Sequence, residues 1–158
     1  MIRSFFIDAG ALALIGLSST AQAQQVKQGT AAEARAMLQK TIAAVKADKA
    51  KALEMIAKGE GGFLDGDLYP FCFNNTDGKI HPFPNPNAKA FFGTDERLAK
   101  DAAGKAYGKE LFDAAQKPEG QISEVDYVFS KPGDSKTSPK VSFVTRIGDL
   151  GCAVGYYK

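Results

Sequence analysis

Four residues, Gly59-Glu60-Gly61-Gly62, divide the chain into stretches of different hydrophobic period. Before them the apolar residues recur every three or four positions. After them come alternating runs separated by turn residues. A chain that changes period in this way is neither all-helical nor all-strand, and must pack helix against sheet in an α+β layout.

The helical part has a defined start. Thr30 and Glu33 form the T-x-x-E pattern of a capping box. Leu38, Ile42 and Val45 then follow at spacings of four and three, with Ala34 and Thr41 on the same side and Arg35, Gln39, Lys40 and Lys46 on the others. Asp48 opens a second helical stretch, 49–58, whose apolar side is Leu53 and Ile56. Continuity between the two stretches is left open at this level.

Beyond Phe63, Tyr69 to Phe73 reads as an aromatic strand and Asn74 to Gly78 as a hairpin turn, with Asp77-Gly78 its strongest signal. Lys79 to Phe83 reads as a second strand, ended by Pro82, Pro84 and Pro86. A helical turn is expected near 96–100 and a helix over 105–116. Three antiparallel strands follow at 124–130, 141–147 and 151–157.

Several function classes are excluded by composition. Lys and Arg number 20 against 18 Asp and Glu, a net charge of +2, so the basic footprint of a nucleic-acid-binding protein is absent. One histidine and two cysteines are too small a stock for a zinc site, and no metal is expected. The cysteines are eighty positions apart, which leaves no CxxC redox pair and no CxxCH haem attachment, so no cofactor is expected. A cysteine nucleophile would have only His81 as its base, and paired carboxylates for acid–base work do not stand out, so no enzyme is expected.

Residues 1–23 read as a secretory signal peptide. Arg3 supplies the positive end, 9–17 the apolar stretch, and Ala21-Gln22-Ala23 the small-x-small cleavage pattern. The apolar run is shorter than the roughly 20 residues of a membrane-spanning helix. No cysteine follows the cleavage point to carry a lipid. The expectation is a periplasmic protein, residues 24–158 forming one domain without a membrane span.

Fragments along nearly the whole of 24–158 resemble the single Cache domain family, type 2. They are Gly61-Gly62-Phe63, Asp67-Leu68-Tyr69-Pro70-Phe71, Asp77-Gly78-Lys79-Ile80-His81-Pro82 with Asn85-Pro86, Asp101-Ala102-Ala103-Gly104-Lys105, Lys131-Pro132-Gly133, Lys140-Val141-Ser142-Phe143-Val144 and Gly155-Tyr156-Tyr157. The resemblance implies a long N-terminal helix on a PAS-like five-stranded antiparallel sheet, with a pocket on one face that accepts small organic acids. Most members lie between two transmembrane helices and feed chemoreceptors or histidine kinases. Here the chain stops one residue after its last strand, so a free-standing secreted member is expected, with a small carboxylate as ligand and a membrane sensor or chemoreceptor as possible partner. The alternative is an interaction protein that docks on a membrane sensor or transporter and keeps only a vestigial pocket.

A carboxylate site needs a cation and hydroxyl or amide donors. Val125, Tyr127, Phe129 and Lys131 alternate onto one face of a strand and end in a cation, so Lys131 and Tyr127 are candidates. The competing reading is a core face from which Lys131 reaches water. His81, on a proline-stiffened edge, is either a donor to the carboxylate or a structural residue. Arg146 offers a guanidinium, or is simply an exposed strand residue. Tyr69 lines the same face or belongs to an aromatic core. Asp65 and Asp67 lack the further ligands of a calcium loop and read as a turn. The sheet order that the resemblance implies, 2-1-5-4-3, makes the first and last strands antiparallel neighbours. In an oxidising compartment, Cys72 and Cys152 are then expected to form a disulfide.

Overall fold

The computed structural model describes residues 26–158; the signal-peptide reading of residues 1–23 lies outside them. Helix α1 (Ala31–Ala47) begins with the full capping box. Thr30 Oγ1 accepts from the Glu33 N–H at 3.2 Å, and the Glu33 carboxylate accepts from the Thr30 N–H at 2.9 Å. Asp48, in extended backbone, caps the end of α1 and the start of α2 (Lys49–Lys58); its carboxylate accepts from the Lys51 N–H at 3.0 Å. The two helices are therefore separate, joined by one non-helical residue. Helix α2 stops at Gly59, whose φ of 68° is left-handed backbone that side chains other than glycine rarely adopt.

The remaining elements are β1 (Pro70–Asn74), short 3-10 turns at Pro86–Phe91 and Glu96–Leu98, α3 (Tyr107–Ala115), β2 (Ser123–Ser130), β3 (Thr137–Ile147) and β4 (Leu150–Tyr157). The strands form one antiparallel sheet in the order β1-β4-β3-β2. Four strands replace the five expected. The missing one, 79–83, flanks β1 with a few bonds only. The Asn74 N–H donates to the Lys79 carbonyl at 3.0 Å, and the His81 N–H donates to the Cys72 carbonyl at 2.9 Å. Pro82 and Pro84 have no N–H to continue the ladder, and the chain turns away.

Cys72 and Cys152 lie opposite each other in the β1–β4 register and are disulfide-bonded, with Cα atoms 4.1 Å apart. The bond joins the first strand to the last across 80 positions.

The sheet has two covered faces. On one, α1 lays Ala34, Met37 and Leu38 against Leu68, Phe143 and Val154. On the other, α3 and the segment 80–99 cover Phe71, Phe73, Tyr127 and their neighbours. There Tyr107 stacks on Tyr127 at 4.2 Å, and Phe112 on Phe73 at 6.0 Å. No helix among the described residues is long and apolar enough to cross a membrane.

Candidate functional site

The second face holds a small cavity of about 20 Å³. A single water needs roughly 10–15 Å³ of such space, so the vacancy as it stands holds one or two waters. Its walls are aromatic: Tyr69, Phe71 and Phe83 from the β1 side, Tyr107 from α3, and Tyr127 and Phe129 from β2. Ile80 and Phe91 close it. Two chargeable side chains, Lys140 and Glu96, break this apolar lining.

Lys140 is fully buried at 1% exposure. Register explains its place. Lys140 pairs directly with Tyr127 on one side and Tyr157 on the other, so the three side chains share a face. Gly155 makes room for it: a Cβ there would lie 2.3 Å from Lys140 Cε and 2.4 Å from Ser142 Oγ. The ammonium sits 4.3 Å from the ring centre of Tyr69, 5.0 Å from Tyr157, 5.4 Å from Phe129 and 5.7 Å from Phe71. This is an aromatic cage of the kind that attracts cations.

A directed chain of hydrogen bonds orients the cage. Lys140 Nζ and Asn85 Nδ2 both donate to the Tyr69 hydroxyl, each at 2.9 Å. Tyr69 is left to donate towards the Tyr157 hydroxyl at 3.5 Å, and Tyr157 donates onward to the Ser130 carbonyl at 2.7 Å. Burial pushes the Tyr157 hydroxyl well above its ordinary range, so it remains a donor. Nearby, the Tyr127 and Ser142 hydroxyls are 2.9 Å apart. Among the described residues Lys140 makes that one hydrogen bond and no ion pair. Two of its N–H bonds are free to meet an anion.

Glu96 is 3% exposed, and its carboxyl makes no hydrogen bond among the described residues. Burial, with the neighbouring Asp95 carboxylate adding to it, pushes its pKa up to about 8. It is therefore mostly protonated at neutral pH.

The structure brings together some of the residues named from sequence. Tyr69 and Tyr127 line the cavity; Lys131, His81 and Arg146 do not. Lys131 lies one residue past the end of β2, where strand alternation no longer sets its direction. Its Nζ is 3.4 Å from Asp67 Oδ2 and 3.3 Å from Gln28 Oε1, and it serves as counter-ion to a buried aspartate. Asp67 Oδ1 accepts from the Gly29 N–H at 2.7 Å, whereas Oδ2 has no hydrogen bond.

His81 flanks β1, with Nε2 2.8 Å from Asn74 Oδ1. The Asn74 amide donates to Asp77, so its oxygen accepts and His81 Nε2 carries the proton. Burial, and then the charge of Lys49, lower the His81 pKa. Arg146 has the same alternation parity as Lys140 but is six residues along β3, roughly 20 Å at strand rise. It is exposed, and its Nε donates to the Gly148 carbonyl at 2.9 Å.

Lys140 and Glu96 escape the sequence reading for identifiable reasons. Strand β3 begins at Thr137, four residues before the expected start at Val141, and Lys140 falls in that difference. The alternation Lys140, Ser142, Val144 was the available signal. Glu96 begins an irregular turn, and no periodicity marks it.

With this architecture in view, comparison with known proteins is decisive at one level. Residues 17–157 match the family described as Single Cache domain 2. The chain belongs to that family. Comparison with curated proteins gives no match. Several solved structures share the fold. One is a methyl-accepting chemotaxis protein from Vibrio parahaemolyticus, with TM-score 0.60, 21% identity, and 80% of this chain and 86% of that chain covered. A second is a periplasmic sensor domain of a chemotaxis protein, at 0.56 and 21%, covering 80% and 88%. A third is described as the structural basis for carboxylic acid recognition by a Cache chemosensory domain, at 0.58 and 20%, covering 80% and 86%.

Proposed function

We propose that this protein is a non-catalytic, sensor-type binding domain that takes a small organic carboxylate in the sheet cavity, with Lys140 as its anion anchor. The observation that carries this reading is the state of Lys140. A buried ammonium with one hydrogen bond and no carboxylate partner is costly to maintain. An entering carboxylate supplies the missing charge and accepts the free N–H bonds. Tyr69 orients the cation and, with Tyr127, walls the site. The likeness to a Cache domain described for carboxylic acid recognition supports the ligand class. We further propose that the chain is exported through a signal peptide over 1–23 and works in the periplasm. There its ligand-bound form would be read by a membrane sensor or chemoreceptor.

Calorimetric titration of the full chain with acetate, propionate and butyrate tests this. Lys140→Met should weaken binding about tenfold to hundredfold, the cost of a lost charge-assisted donor. Lys131→Met should lower stability, by exposing Asp67 to burial without its counter-ion, and leave affinity unchanged. A bound acid should also raise the melting temperature, adding about 2.7 kcal/mol at a hundredfold excess over Kd. If no acid binds, the cavity is vestigial and the protein acts by docking alone.

A further inference from the structure

Lys140 and Glu96 line one cavity, and neither has a counter-ion there among the described residues. Glu96 is also firmly placed. Its backbone N–H donates to the Gly78 carbonyl at 2.8 Å, and its carbonyl accepts from the Ala99 N–H at 3.0 Å. Helix α3 closes over it at Gly108, where a Cβ would come within 1.8 Å of the Glu96 carbonyl oxygen. The backbone that carries the Glu96 side chain is therefore held in place, with the side chain on the cavity wall. The wall around the cavity is aromatic, with Tyr107 and Tyr127 stacked on each other.

We propose that the cavity is built for a small carboxylate that also carries an ammonium group, with Lys140 holding the carboxylate and Glu96 reading the ammonium. This rests on the anion-anchoring role of Lys140 argued above. A plain monocarboxylate satisfies Lys140 and offers Glu96 no positive charge. A dicarboxylate brings a second anion towards Glu96, beside which Asp95 already disfavours negative charge. A zwitterion satisfies both groups at once. The electron-rich faces of the tyrosine rings favour a cation near them over an anion. The small vacant space favours the shortest ligands.

The proton balance follows. In the empty cavity Glu96 holds its proton at neutral pH. An arriving ammonium favours the carboxylate form, so the Glu96 proton leaves to solvent as the ion pair forms. A plain carboxylate triggers no such release.

Titration calorimetry of the full chain at pH 7, in two buffers of different ionisation enthalpy, tests the proposal with matched pairs: glycine and acetate, β-alanine and propionate, 4-aminobutyrate and butyrate. Varying the chain length finds the spacing between the two anchors. In at least one pair the amino acid should bind about tenfold or more tighter than its plain partner, with proton release. Glu96→Gln should abolish both the preference and the release. Should that variant fail to fold, the wild-type ratio and proton count still decide. Plain acids that bind in a Lys140-dependent way, with amino acids equal or weaker, overturn this proposal and leave the carboxylate reading standing. Absence of binding by both classes overturns both.

Discussion

The two faces of the sheet are assembled under opposite constraints. Under α1, Leu38, Met37, Phe143 and Val154 pack apolar against apolar. Arg35 extends over the Phe143 ring at 3.9 Å from the exposed side, and the same face also buries Thr41, Thr145 and the Cys72–Cys152 bond. Under α3 and the 80–99 segment, by contrast, Lys140, Glu96 and several hydroxyls are buried among aromatic rings. Trimming the hydrocarbon of the first face costs stability. The second tolerates removal of its chargeable groups, because burying a polar or charged group without a partner opposes folding. The comparison separates a stability layer from a binding layer within one small domain. Variants can therefore be sorted by which quantity they change.

The largest effect expected is on stability. The Cys72–Cys152 bond closes a loop of 80 positions. Replacing both cysteines by alanine should cost about 4–5 kcal/mol in denaturant unfolding by chain-entropy arithmetic. The fraction still folded should bind ligand with unchanged affinity, since strand alternation puts both cysteines on the face opposite Phe71. A parallel loss of affinity would show that the two layers are coupled through β1 and β4.

An intermediate effect comes from the binding layer. The folded-state pKa of Glu96, about 8, lies above the ordinary carboxylate value of 4.5 that it regains on unfolding. The native state therefore holds a proton that the unfolded state gives up. Stability tied to this group is fully present below the ordinary value and declines as pH rises to about 8. Unliganded wild type should lose up to about 4 kcal/mol across that window. In Glu96→Gln that decline should vanish. A variant whose melting temperature falls as steeply as that of wild type would place the titrating group elsewhere.

The smallest effect is at the start of α1. Thr30→Ala removes one side of the capping box and should cost about 1 kcal/mol in thermal or urea unfolding. It should not move the affinity of any ligand, because α1 covers the face away from the cavity.

Much of the architecture is legible along the chain. The capping box at Thr30, the break at Asp48, the stop at Gly59 and the turn at Asp77-Gly78 are short-range devices, and the structure uses each of them. The second strand was over-read, because 79–83 alternates correctly while Pro82 removes the donor a ladder requires. Within the cavity, Tyr69 and Tyr127 are legible as aromatic residues at strand positions. Lys131 looked equivalent to a strand residue because alternation was carried one step beyond Ser130, where β2 ends.

By itself the sequence determined the α+β class, the three helices, four of the five expected strands and the absence of CxxC and CxxCH motifs, since these follow from local period, turn chemistry and residue spacing. With only two cysteines, it also left one possible intramolecular pairing. Only the tertiary structure decided which lysine enters the cavity. Cross-strand register places Lys140 between Tyr127 and Tyr157, and Gly155 leaves space for its stem. Only the covering of that face by α3 and the 80–99 segment turns Glu96 from a residue of an irregular turn into a buried acid. Both outcomes depend on residues far apart in the chain, and local pattern holds no record of such contacts.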